Sequence, residues 1–204
     1  MAVINEPANR EAKLASLGLD EDGLTEAIRR GENARNNATP NHPPSWGGQS
    51  AYADTTRFLR DFYIPKGAKK DNTKNYCQLI CSNGEDAVVV TSGDRATGDV
   101  SMAPQPRYAR GEAAQDAVES AQIEFWPSAK RQRAGPRIWF LMTLREGPVV
   151  KFELSRPEAI DSAGYVTKWE ERILFSPISV DPTPSLVNKP DFSPPIDIDI
   201  AREK

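Results

Sequence analysis

The run RIWFLMTL, residues 137–144, constrains this chain more than any other segment. Its side chains are apolar at odd and even positions alike. A strand of that kind needs apolar neighbours on both faces, so it belongs at the centre of a sheet. The residues that follow continue the sheet. Glu146-Gly147-Pro148 makes a turn, and VVKFELS, 149–155, returns with strict alternation. Val150, Phe152 and Leu154 point to one side; Lys151 and Glu153 point to the other, read here as the solvent side.

A second hairpin is signalled by NYCQLICS, 75–82, and DAVVVTS, 86–92, joined through Asn83-Gly84, a strong tight-turn pair. ERILFSPISV, 171–180, reads as a fifth strand that Pro177 bends or ends. Helical spacing appears at 6–16, stopped by Gly18, and at 20–36, where Asp20, Glu21 and Asp22 suit the positive end of the helix. It recurs in SAYADTTRFLRDFYI, 50–64, with Ser50 as the N-cap, and in the alanine-rich 111–122. These elements predict a single α+β domain: a mostly antiparallel sheet of about five strands, built from two hairpins and packed by about four helices.

The 17 prolines mark the joints. Residues 1–5 are expected to be loose. Residues 1–36 read as an N-terminal helical arm, because Leu24, Ala27, Ile28 and Ala34 mark only a narrow apolar face. NATPNHPPSWGGQ, 37–49, reads as a Pro/Gly linker that excludes helix and central strand. Residues 50–180 form the core domain. Residues 181–204 are an extended proline-rich tail ending in IDIDIAREK, a strand-like peptide. It suits capping of its own sheet edge, or addition to a second copy as a homodimer.

A net charge of −3 argues against wholesale electrostatic binding to nucleic acid and leaves room for a local basic patch. The opening residues read as carrying no secretion signal, and no stretch of this sequence approaches the ~20 apolar residues of a membrane span. A cytoplasmic protein is the expectation. Cys77 and Cys81 fall in one predicted strand, roughly 13 Å apart, too far for a disulfide, so both are read as reduced thiols.

Catalytic patterns are sparse. His42 is the only histidine. Pairing with Cys77 or Cys81 would need an exposed, activated thiolate, whereas a cysteine in an apolar strand is usually inert. The stretch around His42 reads better as a stiff entry to the next helix, with Trp46 packed over its start. One histidine and a CxxxC pair do not make a zinc site. No phosphate-binding loop is present, and no cofactor is expected. Asp94 and Asp99 in GDRATGD are the most visible ligands for a divalent metal, which sets up the alternative of a metal-dependent nuclease or phosphodiesterase; ordinary turn chemistry also explains them.

Two basic loops stand out. Arg57, Arg60, Lys66, Lys69, Lys70 and Lys74 form one cluster; Lys130, Arg131, Arg133 and Arg137 form another. Each precedes a predicted strand. Strands starting at one sheet end would merge the loops into a single surface, with Trp126 and Tyr63 as stacking faces. The competing reading is that charged loops are merely solvated.

The combination ATPNHPP…AYADTTRFLRDFYIPKG, AVVVTSGDRATGD and FELSRP…WEERILF resembles a bacterial protein family carried on plasmids and prophages. The resemblance covers 38–99 and 137–176. It implies a mobile-element setting and no known activity, and it assigns no functional residue. The expected function is that of a non-enzymatic binding or accessory protein. It would engage a protein or nucleoprotein complex, or nucleic acid itself, through the basic loops.

Overall fold

The computed structural model describes residues 1–109, 111–122 and 135–180, with the backbone alone for 119–122. The central strand is the one its sequence predicts. β5 (Arg137–Glu146) lies in the middle of a mixed sheet. On one side it pairs antiparallel with β6 (Val149–Ile160), which pairs antiparallel with β7 (Val166–Leu174). On the other side it pairs with β4 (Asp86–Ser92), then β3 (Gln78–Ile80), then β2 (Lys69–Asp71). β1 (Ala2–Ile4) closes the β7 edge in parallel, and β8 (Ile178–Ser179) pairs with the start of β6.

The class is α+β, as expected, with a larger sheet. Both predicted hairpins form. Asn83 accepts the amides of Glu85 and Asp86 through its side chain, and Gly84 and Gly147 supply the positive φ that each turn needs. The predicted fifth strand is two pieces on one edge of β6. β7 pairs from Glu153 onward, β8 pairs at Val149 and Val150, and Pro177 lies in the break.

The sheet is covered on both faces. Val88, Val90, Trp139, Leu141, Phe152, Leu154 and Ile173 pack against α1 (Pro7–Leu17), α2 (Glu21–Asn36) and α3 (Trp46–Tyr63). The alternate residues Ala87, Val89, Ile138, Phe140 and Met142 face Trp169, Val166 and Val118 of α4 (Glu112–Gln122). Each large apolar side chain so buried contributes about 1.5–3 kcal/mol.

Several expectations are corrected. Residues 1–36 are not an arm: Leu14, Leu17, Leu24, Ala27 and Ile28 are core residues. α2 approaches α3 closely because Gly23 and Gly31 lack side chains; a Cβ on Gly31 would lie 2.6 Å from the Ala51 carbonyl oxygen. Residues 1–5 are not loose, since Ala2–Ile4 form the β1 edge. The 37–49 linker ends early, because α3 begins at Trp46 and takes Gly47 and Gly48 into its first turns. Pro43 and Pro44 precede the helix, where they obstruct nothing. Ser50 is therefore inside α3 and not its cap; its hydroxyl donates to the Gly47 carbonyl. The polar 66–75 loop contains the edge strand β2.

Glu153 carries the largest correction. It faces away from Phe152 as predicted, yet that side is a second interior. Glu153 is fully buried and paired with Arg172. Gln105 exchanges two hydrogen bonds with the Val166 backbone, and Trp169 donates to the Pro104 carbonyl. The segment that leaves β4 is thus folded back across β6 and β7.

Candidate functional site: an arginine-lined cleft

β4 and β5 are the parallel pair inside the sheet, connected by a long crossover that includes α4. Crevices beyond the carboxyl ends of parallel strands are where open sheets tend to bind ligands. Here β4 stops at Ser92, opposite Thr143, while β5 continues to Glu146. A cleft of about 650 Å³ occupies that step. Its volume falls within the roughly 300–1,000 Å³ usual for small-molecule sites.

Six segments line the cleft, among them Val89 to Gly93 at the end of β4. The end of α2 contributes Arg35, and the start of α3 contributes Pro44, Ser45, Gly48, Gln49 and Tyr52. Asn75, Tyr76 and Cys77 enter from the turn before β3, while Thr143, Leu144 and Arg145 come from β5. Arg107 and Tyr108 complete the rim. They are held there because the returning chain pairs with the end of β4: the Arg107 amide donates to Ser92, Asp94 donates to Gln105, and Gly93 bridges to Pro106.

The turn before β3 is conformationally costly. Lys74 and Asn75 both have positive φ, at 54° and 60°. Such backbone costs about 1–3 kcal/mol per non-glycine residue and concentrates at functional sites. The Lys74 ammonium is tied to Asp116 of α4 at 2.8 Å, and the turn delivers Asn75, Tyr76 and Cys77 to the cleft.

The charge of the cleft is one-sided. Among the described residues that line it are three arginines and no carboxylate. Behind them sits Glu32, almost completely buried. Its Oε2 accepts from Arg35 Nε at 2.8 Å and from Arg145 Nη1 at 3.0 Å. Arg145 also donates to Asn36 Oδ1 at 2.7 Å and to the Gly147 carbonyl at 3.0 Å. One carboxylate thus orients two guanidiniums, whose other nitrogens have no protein acceptor among the described residues. The Arg107 guanidinium has no such acceptor either; it lies 5.9 Å from the centre of the Tyr108 ring. Three guanidiniums against one carboxylate leave two formal positive charges. The start of α3, which has no side-chain cap, adds the positive end of its dipole.

The residues expected to form a basic patch are mostly committed elsewhere. Arg57 pairs with Asp54 and Asp61 on its own helix and stacks on Phe58. Arg60 donates to the carbonyls of Asp71 and Gln78 and to Asn72, closing the β2–β3 turn. Lys66 binds Asp20 and lies over Phe62. Lys69 and Lys70 sit on β2, exposed and without an ion-pair partner among the described residues. Lysines on an edge strand discourage pairing with other chains. Arg137 is engaged by Asp86 and Glu85. Trp126, Lys130, Arg131 and Arg133 lie outside the described residues, as does the 181–204 tail. Tyr63 offers no stacking face: it is fully buried, with its hydroxyl bonded to the Asp20 backbone, and burial pushes its pKa up. The premise that joined the two loops also fails. β3 follows the first cluster and runs opposite to β5, which follows the second, so the two strands start at opposite ends of the sheet.

Asp94 and Asp99 each serve their own loop. Asp94 Oδ1 accepts from the Ala96 amide. Asp99 accepts from the hydroxyl and amide of Ser101, which hold its pKa below the usual carboxylate range. Among the described residues no group of three or more His, Cys, Asp or Glu side chains is placed to hold a metal. His42 accepts from the Thr39 amide and stacks on Trp46 at 5.2 Å, an entry to α3 as its sequence suggests. The thiols differ: Cys81 is buried, and burial with the nearby Asp86 charge pushes its pKa up to about 12. Cys77 is half-buried and lines the cleft.

No family model matches the chain, and no curated protein or solved structure does. No helix among the described residues is long and apolar enough to cross a membrane. Sequence reasoning missed Arg35, Arg107, Arg145 and Glu32. The signal available was the long, helix-containing connection between two apolar strands, which reads as a parallel crossover.

Proposed function

We propose that this chain is a non-enzymatic binding protein whose ligand is an anion taken up in the cleft between α2, α3 and the ends of β4 and β5. One observation carries the reading: three arginines line a cleft whose described lining holds no carboxylate, and two of them are oriented by Glu32. Guanidinium forks are suited to carboxylate and phosphate oxygens, and they keep their charge at any physiological pH. The basic loops become secondary, since most of their described cations already have intramolecular partners. The mobile-element setting stays within this reading on the sequence resemblance alone.

Thermal unfolding with added citrate, pyrophosphate or inorganic phosphate tests it. Binding to the native state raises the melting temperature. Arg107→Glu should abolish that rise, whereas the double variant Lys69→Glu/Lys70→Glu should retain it. No rise with any of the three anions, or an undiminished rise in Arg107→Glu, removes the cleft from consideration.

A further inference from the structure

Resting on the anion-binding reading, we infer that the cleft is built for a small phosphate monoester in its dianionic form. The guanidiniums of Arg35, Arg107 and Arg145, less the carboxylate of Glu32, leave a surplus of two positive charges at the wall. A carboxylate or a phosphodiester brings one negative charge and leaves one cation unmatched. A phosphate monoester brings close to two at neutral pH, since its second pKa is about 6, and it carries three strong acceptor oxygens. The donors are arranged to use them. Arg35 spends its Nε on Glu32, and Arg145 spends its Nη1 on Glu32 and Asn36 and its Nε on the Gly147 carbonyl, which leaves the Nη atoms of Arg35 and Nη2 of Arg145 without an acceptor among the described residues. Arg107 has no acceptor for its guanidinium among the described residues and lies 5.9 Å from the centre of the Tyr108 ring.

The cleft is also too large for phosphate alone. About 650 Å³ leaves room for an organic group, and the rest of the lining differs in character from the arginines. Tyr76, Val89 and Leu144 give apolar surface, while Asn75 and Gln49 supply amides. That is the mixture of apolar wall and few polar groups by which pockets orient a small organic body. The occupant is thus a compact phosphorylated metabolite, with its phosphate at the arginine wall and its organic part along Tyr76 and Leu144.

The test uses the full chain and three probes that share one ring: phenyl phosphate, methyl phenyl phosphate and benzoate. Calorimetric titration at pH 7.5 should give phenyl phosphate at least thirtyfold tighter binding than either monoanion. Arg107→Gln should weaken phenyl phosphate at least tenfold and leave the weak probes almost unchanged. Arg107→Lys keeps the charge without the fork and should fall between. If all three probes bind within threefold of one another, and all weaken in Arg107→Gln, the cleft takes anions but the monoester inference is wrong. If phenyl phosphate binds selectively with undiminished affinity in both variants, it sits elsewhere and the inference is overturned. If none binds, the inference falls together with the anion-binding reading.

Discussion

Arg172 and Glu153 meet through two hydrogen bonds, Nε to Oε1 at 3.0 Å and Nη2 to Oε2 at 2.6 Å, and neither side chain reaches solvent. Each is further satisfied. Glu153 accepts from the Gly98 amide and the Ser155 hydroxyl; Arg172 donates to the carbonyls of Met102 and Asp99. The pair therefore joins β6 and β7 to the segment that ends at the Arg107 rim of the cleft. Removing one partner strands a buried charge, which typically costs about 3–5 kcal/mol. Arg172→Leu should lose stability in that range by urea denaturation. Glu153→Gln leaves the buried guanidinium uncompensated, so it should also lose stability, and it should accelerate hydrogen exchange at the Gly98 amide. Unchanged exchange there would show that the loop is held by other contacts.

Asp86 gives a pH dependence with a definite sign. Burial raises its pKa, but hydrogen bonds from Arg137, Trp139 and Asn83 outweigh burial and leave it below the usual carboxylate value. A lowered folded-state pKa contributes stability that is complete above the unfolded value, about 3.9. That contribution drains as pH falls through the lower, folded value. Asp86→Asn should cost about 1.5–3 kcal/mol at pH 7, the worth of charge-assisted hydrogen bonds. The difference from the parent should shrink below about pH 4. Urea denaturation from pH 7 to pH 2.5 measures both; a constant difference across that range contradicts the assignment.

Glycine-to-alanine changes in neighbouring helices should have opposite signs. A Cβ at Gly48 would meet nothing within 4 Å, so alanine there gains helix propensity, about 0.5–1 kcal/mol. At Gly31 the same atom would meet the Thr55 side chain and the Ala51 carbonyl, which is backbone and cannot swing away. Overpacking of that kind costs about 1–3 kcal/mol and should exceed the propensity gain. Melting temperatures of the two variants should move in opposite directions.

What the sequence disclosed follows from the range of each signal. Asn83-Gly84, the alternation of Val150, Phe152 and Leu154, and the apolar run 137–144 are local, and each produced the predicted element. β1 and β2 are three residues long, too short for any period to show, and Lys69-Lys70 is unlike an ordinary strand. Glu153 looked solvent-facing because alternation reveals which residues share a face, not what covers that face. The cover is a distant segment around Gly98 and Met102. The cleft failed for the same reason. Glu32 and Arg145 come from α2 and β5, and no spacing in the chain announces that they touch. Counting cations also misled, since Lys66 and Lys74 carry partners, Asp20 at the start of α2 and Asp116 on α4, that a tally of charges does not reveal.

The thiols offer a probe of the cleft that requires no ligand. Disulfide reagents react with the thiolate, so a buried thiol of raised pKa is protected. Cys81 should react only on unfolding, and Cys77, at the cleft wall, should supply one fast equivalent. Cys77→Ser should abolish that fast phase. The positive wall then predicts a preference between reagents. An anionic disulfide such as 5,5′-dithiobis(2-nitrobenzoate) should be drawn in, and neutral 4,4′-dithiodipyridine should not. The ratio of their rates should fall as salt shortens the screening length from about 10 Å at 0.1 M to about 3 Å at 1 M. It should fall again in Arg107→Gln at low salt. A ratio indifferent to both salt and Arg107 would mean that the three arginines do not set the potential at Cys77, and the anion-binding reading would lose its physical basis.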